Sequence, residues 1–140
     1  MNYTRIMAAA FGAFVTYFVL GGLWTAITSV RNEFRNYPTV YRSKEGIMSV
    51  MPIGMVAMFV AILALTAIFA LQVHQGPSLI EGARFGALIG VFAIGSFVIH
   101  NFVNLNIGSK LTIQQGVAYF LQWVIVGLVI AAIYRPIATQ

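Results

Sequence analysis

The chain contains no cysteine, and its acidic residues are only three: Glu33, Glu45 and Glu81. Without thiols there is no disulfide exchange, no thiolate metal site and no covalent haem attachment. The three carboxylates fall between or at the ends of apolar runs, so none stands at mid-membrane. No Ser/His/Asp constellation, metal-ligand spacing or phosphate-binding loop accompanies them. Charge of either sign is scarce. Charged residues make up 8% of the 140, where a soluble domain carries about a quarter. A nucleic-acid partner would need a basic groove or a folded reader module, and neither is visible. The composition reads as a non-catalytic protein with no metal or cofactor of its own.

Apolar residues are what the chain does have: 60% of it is hydrophobic and its mean hydropathy is +0.89. They come in continuous runs and not in alternating or amphipathic patterns, so the solvent this chain faces is lipid. Runs of about 20 residues match a hydrocarbon core roughly 30 Å thick. Four are present, at approximately 6–28, 47–71, 83–103 and 113–134. A β-barrel would show shorter, alternating segments of about 10 residues. The expected fold is an all-α bundle of four transmembrane helices in a single domain spanning 1–140. The first run is longer than the ~7–15-residue apolar region of a signal peptide and lacks a clean cleavage site, so it reads as a retained helix.

The connection at 29–46 carries Arg31, Arg35, Arg42 and Lys44 against Glu33 and Glu45, and shares its membrane side with Lys110. Arg5, Arg84 and Arg135 lie on the other side. Five basic residues against three place the first and third connections in the cytoplasm and both termini outside. Net charge +5 suits contact with anionic lipid headgroups. Phe34, Tyr37 and Tyr41 are interleaved with the basic residues, as expected of an interfacial loop, and Pro38 argues against one uninterrupted surface helix.

Two stretches align without gaps. AAFGAFVTYFVLGG at 9–22 and ARFGALIGVFAIGS at 83–96 share Ala9/Ala83, Phe11/Phe85, Gly12/Gly86, Ala13/Ala87, Phe18/Phe92 and Gly21/Gly95. That suggests two tandem helical hairpins related by a parallel repeat, with the first and third helices in equivalent central positions. EGARFGALIG at 81–90 spaces Gly82, Gly86 and Gly90 four apart, on one slowly drifting helix face. Small residues at this spacing let helix backbones approach closely, which replaces the missing hydrophobic drive in lipid. Gly12, and Gly127 with Ala131, offer similar sites. Glu81 and Arg84 are three apart and positioned to pair at the interface, where Arg84 also reaches headgroups.

Polar residues inside the runs need partners. His100 and Asn101 continue the glycine face of the third run. A short connection brings them level with Gln115 and Tyr119 of the fourth. Gln122 lies deeper and is expected to bond across helices, to Thr16 or Tyr17 or to Thr66. This cluster is a hydrogen-bonded packing site or a pocket for a headgroup or small solute. His74 and His100 stand at opposite ends of their helices, so one chain does not bring both to one haem iron.

Four segments carry a resemblance: MNYTRI at the start, GGLW at 21–24, GARFGALIG at 82–90 and GLVIAAIYRP at 127–136. With them the chain resembles small bacterial four-helix membrane proteins gathered under domains of unknown function. The resemblance implies a bacterial cytoplasmic membrane and a helical bundle, and carries over no catalytic or binding residue. The expected role is a structural or accessory subunit that self-associates or joins a larger membrane complex through its glycine-rich and aromatic faces. The alternative is a carrier or binding protein for a small solute or lipid, with its polar site between the third and fourth helices.

Overall fold

The computed structural model describes residues 2–73 and 76–134. Four long helices, α1 (Tyr3–Ile27), α3 (Lys44–Gln72), α4 (Leu79–Asn104) and α5 (Ser109–Ile133), have the length and apolar composition to cross a bilayer. A short helix, α2 (Val30–Arg35), lies in the first connection. Among the described residues there is no strand. The four-helix all-α fold expected from hydropathy is present.

The spans begin three or four residues before the apolar runs do, because capping residues add a polar first turn. Asn2 accepts a hydrogen bond from the Arg5 N–H at 3.1 Å, and Ser43 accepts one from the Gly46 N–H at 3.2 Å. At α4 a reciprocal box forms: the Ser78 N–H donates to Glu81 Oε2 at 2.6 Å and the Glu81 N–H donates to Ser78 Oγ at 3.2 Å. Glu81 is therefore spent on the cap and does not pair with Arg84. Among the described residues the one ion pair joins Lys110 to Glu33.

The helices are arranged in the order α3, α1, α5, α4, with α5 packed between α1 and α4. The closest seam is α4 on α5. A Cβ on Gly82 would stand 2.5 Å from both the Ala131 Cβ and the Gly127 carbonyl oxygen. Gly86 faces the Trp123 carbonyl, and Gly90 faces Phe120. Gly12 brings α1 onto α5 beside Ile133 and Val129. The small residues thus work as close-approach positions, but within one chain. Gly82, Gly86, Gly90, Gly127 and Ala131 are buried in the monomer and are not exposed faces awaiting a partner. The equivalence implied by a parallel repeat is also absent. α1 packs extensively against both α3 and α5, whereas the one extensive interhelical contact of α4 is with α5.

Near the termini, Ile6, Ala9, Ala10 and Ala13 of α1 form one core with Ile62 and Phe69 of α3 and Val126 and Ile130 of α5. Phe69 reaches Phe85 of α4, with ring centroids 5.2 Å apart. At the opposite end a smaller cluster of Val30, Ile107 and Leu111 gathers Trp24, Phe34, Tyr37 and Tyr41. The aromatic residues of the basic connection therefore pack on protein, with Phe34 and Tyr41 edge to face at 4.7 Å.

α3 differs from the other spans. Its second half is anchored by Ile62, Thr66, Phe69 and Ala70. From 44 to 57 no residue is buried, and all but the half-buried Gly46 and Val50 are exposed. This half of α3 leaves the bundle, with every side turned to the surroundings.

Candidate functional site

A cavity of about 280 Å³ lies between α1, α2 and α5, on the side of the basic connection. Tyr17, Phe18, Gly21, Gly22 and Trp24 of α1 form one wall, and Gln115, Tyr119 and Gln122 of α5 the other. Val30 and Phe34 of α2 complete the lining. None of the twelve lining residues carries a charge, and five are aromatic.

Local sequence explains this geometry. Gln122 Nε2 donates to the Tyr17 carbonyl at 2.5 Å, across the α1–α5 contact. A backbone carbonyl has a second lone pair for such a bond even inside a helix. Gly21 makes room for it, since a Cβ there would stand 3.3 Å from Gln122 Nε2. The hydroxyls of Tyr17 and Tyr119 interact on the same level. Thr16 and Thr66 instead bond the carbonyls of Gly12 and Ile62, each at 2.8 Å within its own helix.

Two lining groups are left over. Trp24 Nε1 and Gln115 Oε1 are shielded and have no hydrogen-bond partner. Gln115 as a whole is 9% exposed. A buried polar atom without a partner is destabilising by roughly 1–3 kcal/mol and asks for an explanation.

α2 is held over the cavity by contacts to the start of α5. Glu33 pairs with Lys110. The Gly108 N–H donates to Tyr37 Oη at 2.9 Å, and Gln114 Nε2 donates to Ser29 Oγ at 3.1 Å. Arg31, Arg35, Arg42 and Lys44 remain exposed around it.

Of the pocket residues expected from the sequence, Gln115, Tyr119 and Gln122 meet at this cavity, but opposite α1 and not α4. His100 and Asn101 do not line it, and His100 is exposed. The cavity is bounded by α1, α2 and α5 and takes no residue from α4, and a π-helical turn, Ile94–Ile99, inside α4 also changes the face on which these two residues lie. One extra residue per turn rotates everything downstream by about 100° relative to α-helical spacing. Val98 is 1% exposed, while Phe97 beside it is 45% exposed. The Asn104 Nδ2 donates to the His100 carbonyl at 2.8 Å, a local bond within the helix. His74 and Arg135 lie outside the described residues. Tyr17, one of the partners expected for Gln122, is the one it bonds; Trp24 and Phe34 were not legible as site residues, although GGLW at 21–24 supplies three of the lining positions.

Fold and site together define a four-span helical membrane protein with an uncharged, aromatic cavity under an interfacial helix. No protein-family model, curated protein or solved structure matches the chain.

Proposed function

We propose that the protein is a non-catalytic subunit of a membrane assembly and that the first half of α3 is where another chain packs. The observation that carries this reading is the exposure of residues 44–57 on every side. Helices in lipid associate through van der Waals packing and interhelical hydrogen bonds, which this half does not make within its own chain. Pro52 lies inside it and has no N–H, so the carbonyl of Met48 loses its usual donor. Neighbouring helices supply replacements for such freed groups in membranes. Gly54 leaves open space for close approach, between the adaptable side chains of Met51 and Met55.

The test is site-specific photocrosslinking in native membranes, with a photoreactive residue at 51 or 55 and a control at Leu88 on the outer face of α4. An adduct of one defined mass from 51 and 55, absent from the control, supports the reading when Gly54→Leu also lowers the native mass of the extracted complex. Equal adducts from all three positions, or a native mass of one chain in mild extraction, overturn it.

The same reading places the basic end in the cytoplasm of a bacterial inner membrane, with both termini outside. Its support is the collection of Arg31, Arg35, Arg42, Lys44 and Lys110 at one end, where anionic headgroups also attract them. The cysteine-free chain suits single-cysteine labelling from either side. Protection of a cysteine at 36 from an impermeant maleimide in intact cells is the expected result, and its labelling overturns the orientation.

A further inference from the structure

We propose that the first half of α3 receives a transmembrane helix of a different protein on one face, a seam of methionines, and that this helix carries acidic residues at the end where the basic connection lies. This rests on the reading that another chain packs on this half of α3, and adds which face it uses and what charge it brings.

The face follows from spacing. Met48, Met51, Met55 and Met58 alternate three and four apart, and Ile62, Leu65 and Phe69 continue the same alternation. Such a series keeps one side of a helix turned toward a neighbouring helix. In the second half of α3 the seam is closed. Ile62 and Phe69 lie in the core shared with α1 and α5, and Met58 and Leu65 pack against it. Exposure then climbs toward the other end, from 0% at Ile62 to 39% at Met55, 46% at Met51 and 62% at Met48. α3 therefore splays away along a seam whose pattern does not stop.

The other wall of this wedge is α1. Phe59 meets Phe14 with ring centroids 5.5 Å apart. The two helices are antiparallel, so the same register places Met55 level with Phe18 and Met51 level with Gly22. Phe18 and Gly22 are exposed, and a Cβ built on Gly22 would meet nothing within 4 Å. Both walls are thus uncovered at these levels. An acyl chain fills such a space whatever the spacing of the side chains. A three-four seam of adaptable methionines is what another helix packs into.

Charge selects the partner. Arg31 and Arg35 of α2, with Arg42 and Lys44 at the start of α3, are exposed, and none of them forms an ion pair among the described residues. Glu33 is held by Lys110, which leaves Glu45 as the one carboxylate of this end outside an ion pair. A second copy of the chain in the same orientation would bring four more cations to the same end, and like charges repel. A helix flanked by Asp or Glu brings the charge that is missing, and such complementarity sets partner choice.

The experiment is photocrosslinking of the full chain in native membranes, with benzoylphenylalanine at 51 or 55, or at the exposed positions 53 and 60 on the other side of α3, and the adduct sequenced by mass spectrometry. One protein is expected from 51 and 55 and little from 53 or 60, joined through a transmembrane segment with an acidic flank at the end of the basic connection. Arg42→Gln with Lys44→Gln should lower the yield about fivefold at low salt and by less at high salt. Glu45→Gln should raise the yield about twofold, a direction that damage to the fold does not produce. Adducts from 53 and 60 in place of 51 and 55 overturn the seam while leaving another chain on α3. No adduct from any of the four positions overturns the seam together with the reading it rests on. Adducts with phospholipid alone make the wedge a lipid-filled space and overturn the proposal. An adduct with a second copy, or a yield unmoved by these three substitutions, overturns the acidic partner.

Discussion

Substituting Gly86 by alanine tests the α4–α5 seam at one of its tightest points. The added Cβ would run into the Trp123 carbonyl oxygen, with Val124 Cα at 2.9 Å and the Trp123 carbonyl carbon at 3.0 Å. All three are backbone atoms of α5, so no rotamer change relieves the contact and the helices must separate. Overpacking of this kind destabilises by about 1–3 kcal/mol, and a backbone obstacle places Gly86→Ala near the top of that range. Against it stands the intrinsic advantage of alanine over glycine in a helix, about 1 kcal/mol. The net expectation is a loss of about 1–2 kcal/mol, roughly tenfold in the unfolding equilibrium. Gly116→Ala is the internal control. It lies on α5 itself, and its Cβ would meet nothing within 4 Å, so only the propensity gain remains. Unfolding by increasing SDS fraction in mixed micelles, followed by circular dichroism, measures both variants. If Gly86→Ala is as stable as Gly116→Ala, the seam is not packed as described and the glycine face belongs elsewhere.

Gln122→Leu should lower stability in the same assay by about 0.5–1 kcal/mol, the scale of an interhelical hydrogen bond in membranes; no change would mean that the Tyr17 carbonyl contact adds nothing. Ser78→Ala removes half of the capping box and should be destabilising by about 1 kcal/mol, with hydrogen exchange rising in the first turn of α4 and not in α5. Glu33→Gln breaks the ion pair to Lys110 at the surface and should shift global stability by less than about 1 kcal/mol. It should still speed tryptic cleavage after Arg35 at low salt, and the difference should shrink as salt rises; an unchanged rate would mean that the pair does not hold α2 down.

How far the sequence could be read depended on the kind of signal. Twenty apolar residues in a row have one low-energy solution in lipid, so the four spans were legible and their ends were off by only a turn. The polar caps that set those ends were also written in the chain: SLIE at 78–81 has the Ser-x-x-Glu spacing of a capping box and assigns Glu81 to Ser78 in preference to Arg84. Small residues four apart announced a close helix contact. That the partner would be α5 of the same chain was not legible, because GxxxG spacing describes one surface and says nothing of what meets it. Regular α-helical spacing then misplaced His100, since a single π turn at Ile94–Ile99 changes the face of every residue beyond it.

The sequence by itself determined the solvent, the number of spans, the basic end and the absence of charge from the membrane interior, because these are sums over residues or local runs. Neighbour relations belonged to the tertiary structure. Gln115, Tyr119 and Gln122 were recognisable as buried polar groups, but their meeting with Tyr17 and Trp24 across about a hundred residues of chain required α5 to lie between α1 and α4. In lipid that order is not set by hydrophobicity, which is equal on every face. It is set by which backbones come closest, through Gly82, Gly86 and Gly127 on one side of α5 and Gly12 and Gly21 on the other.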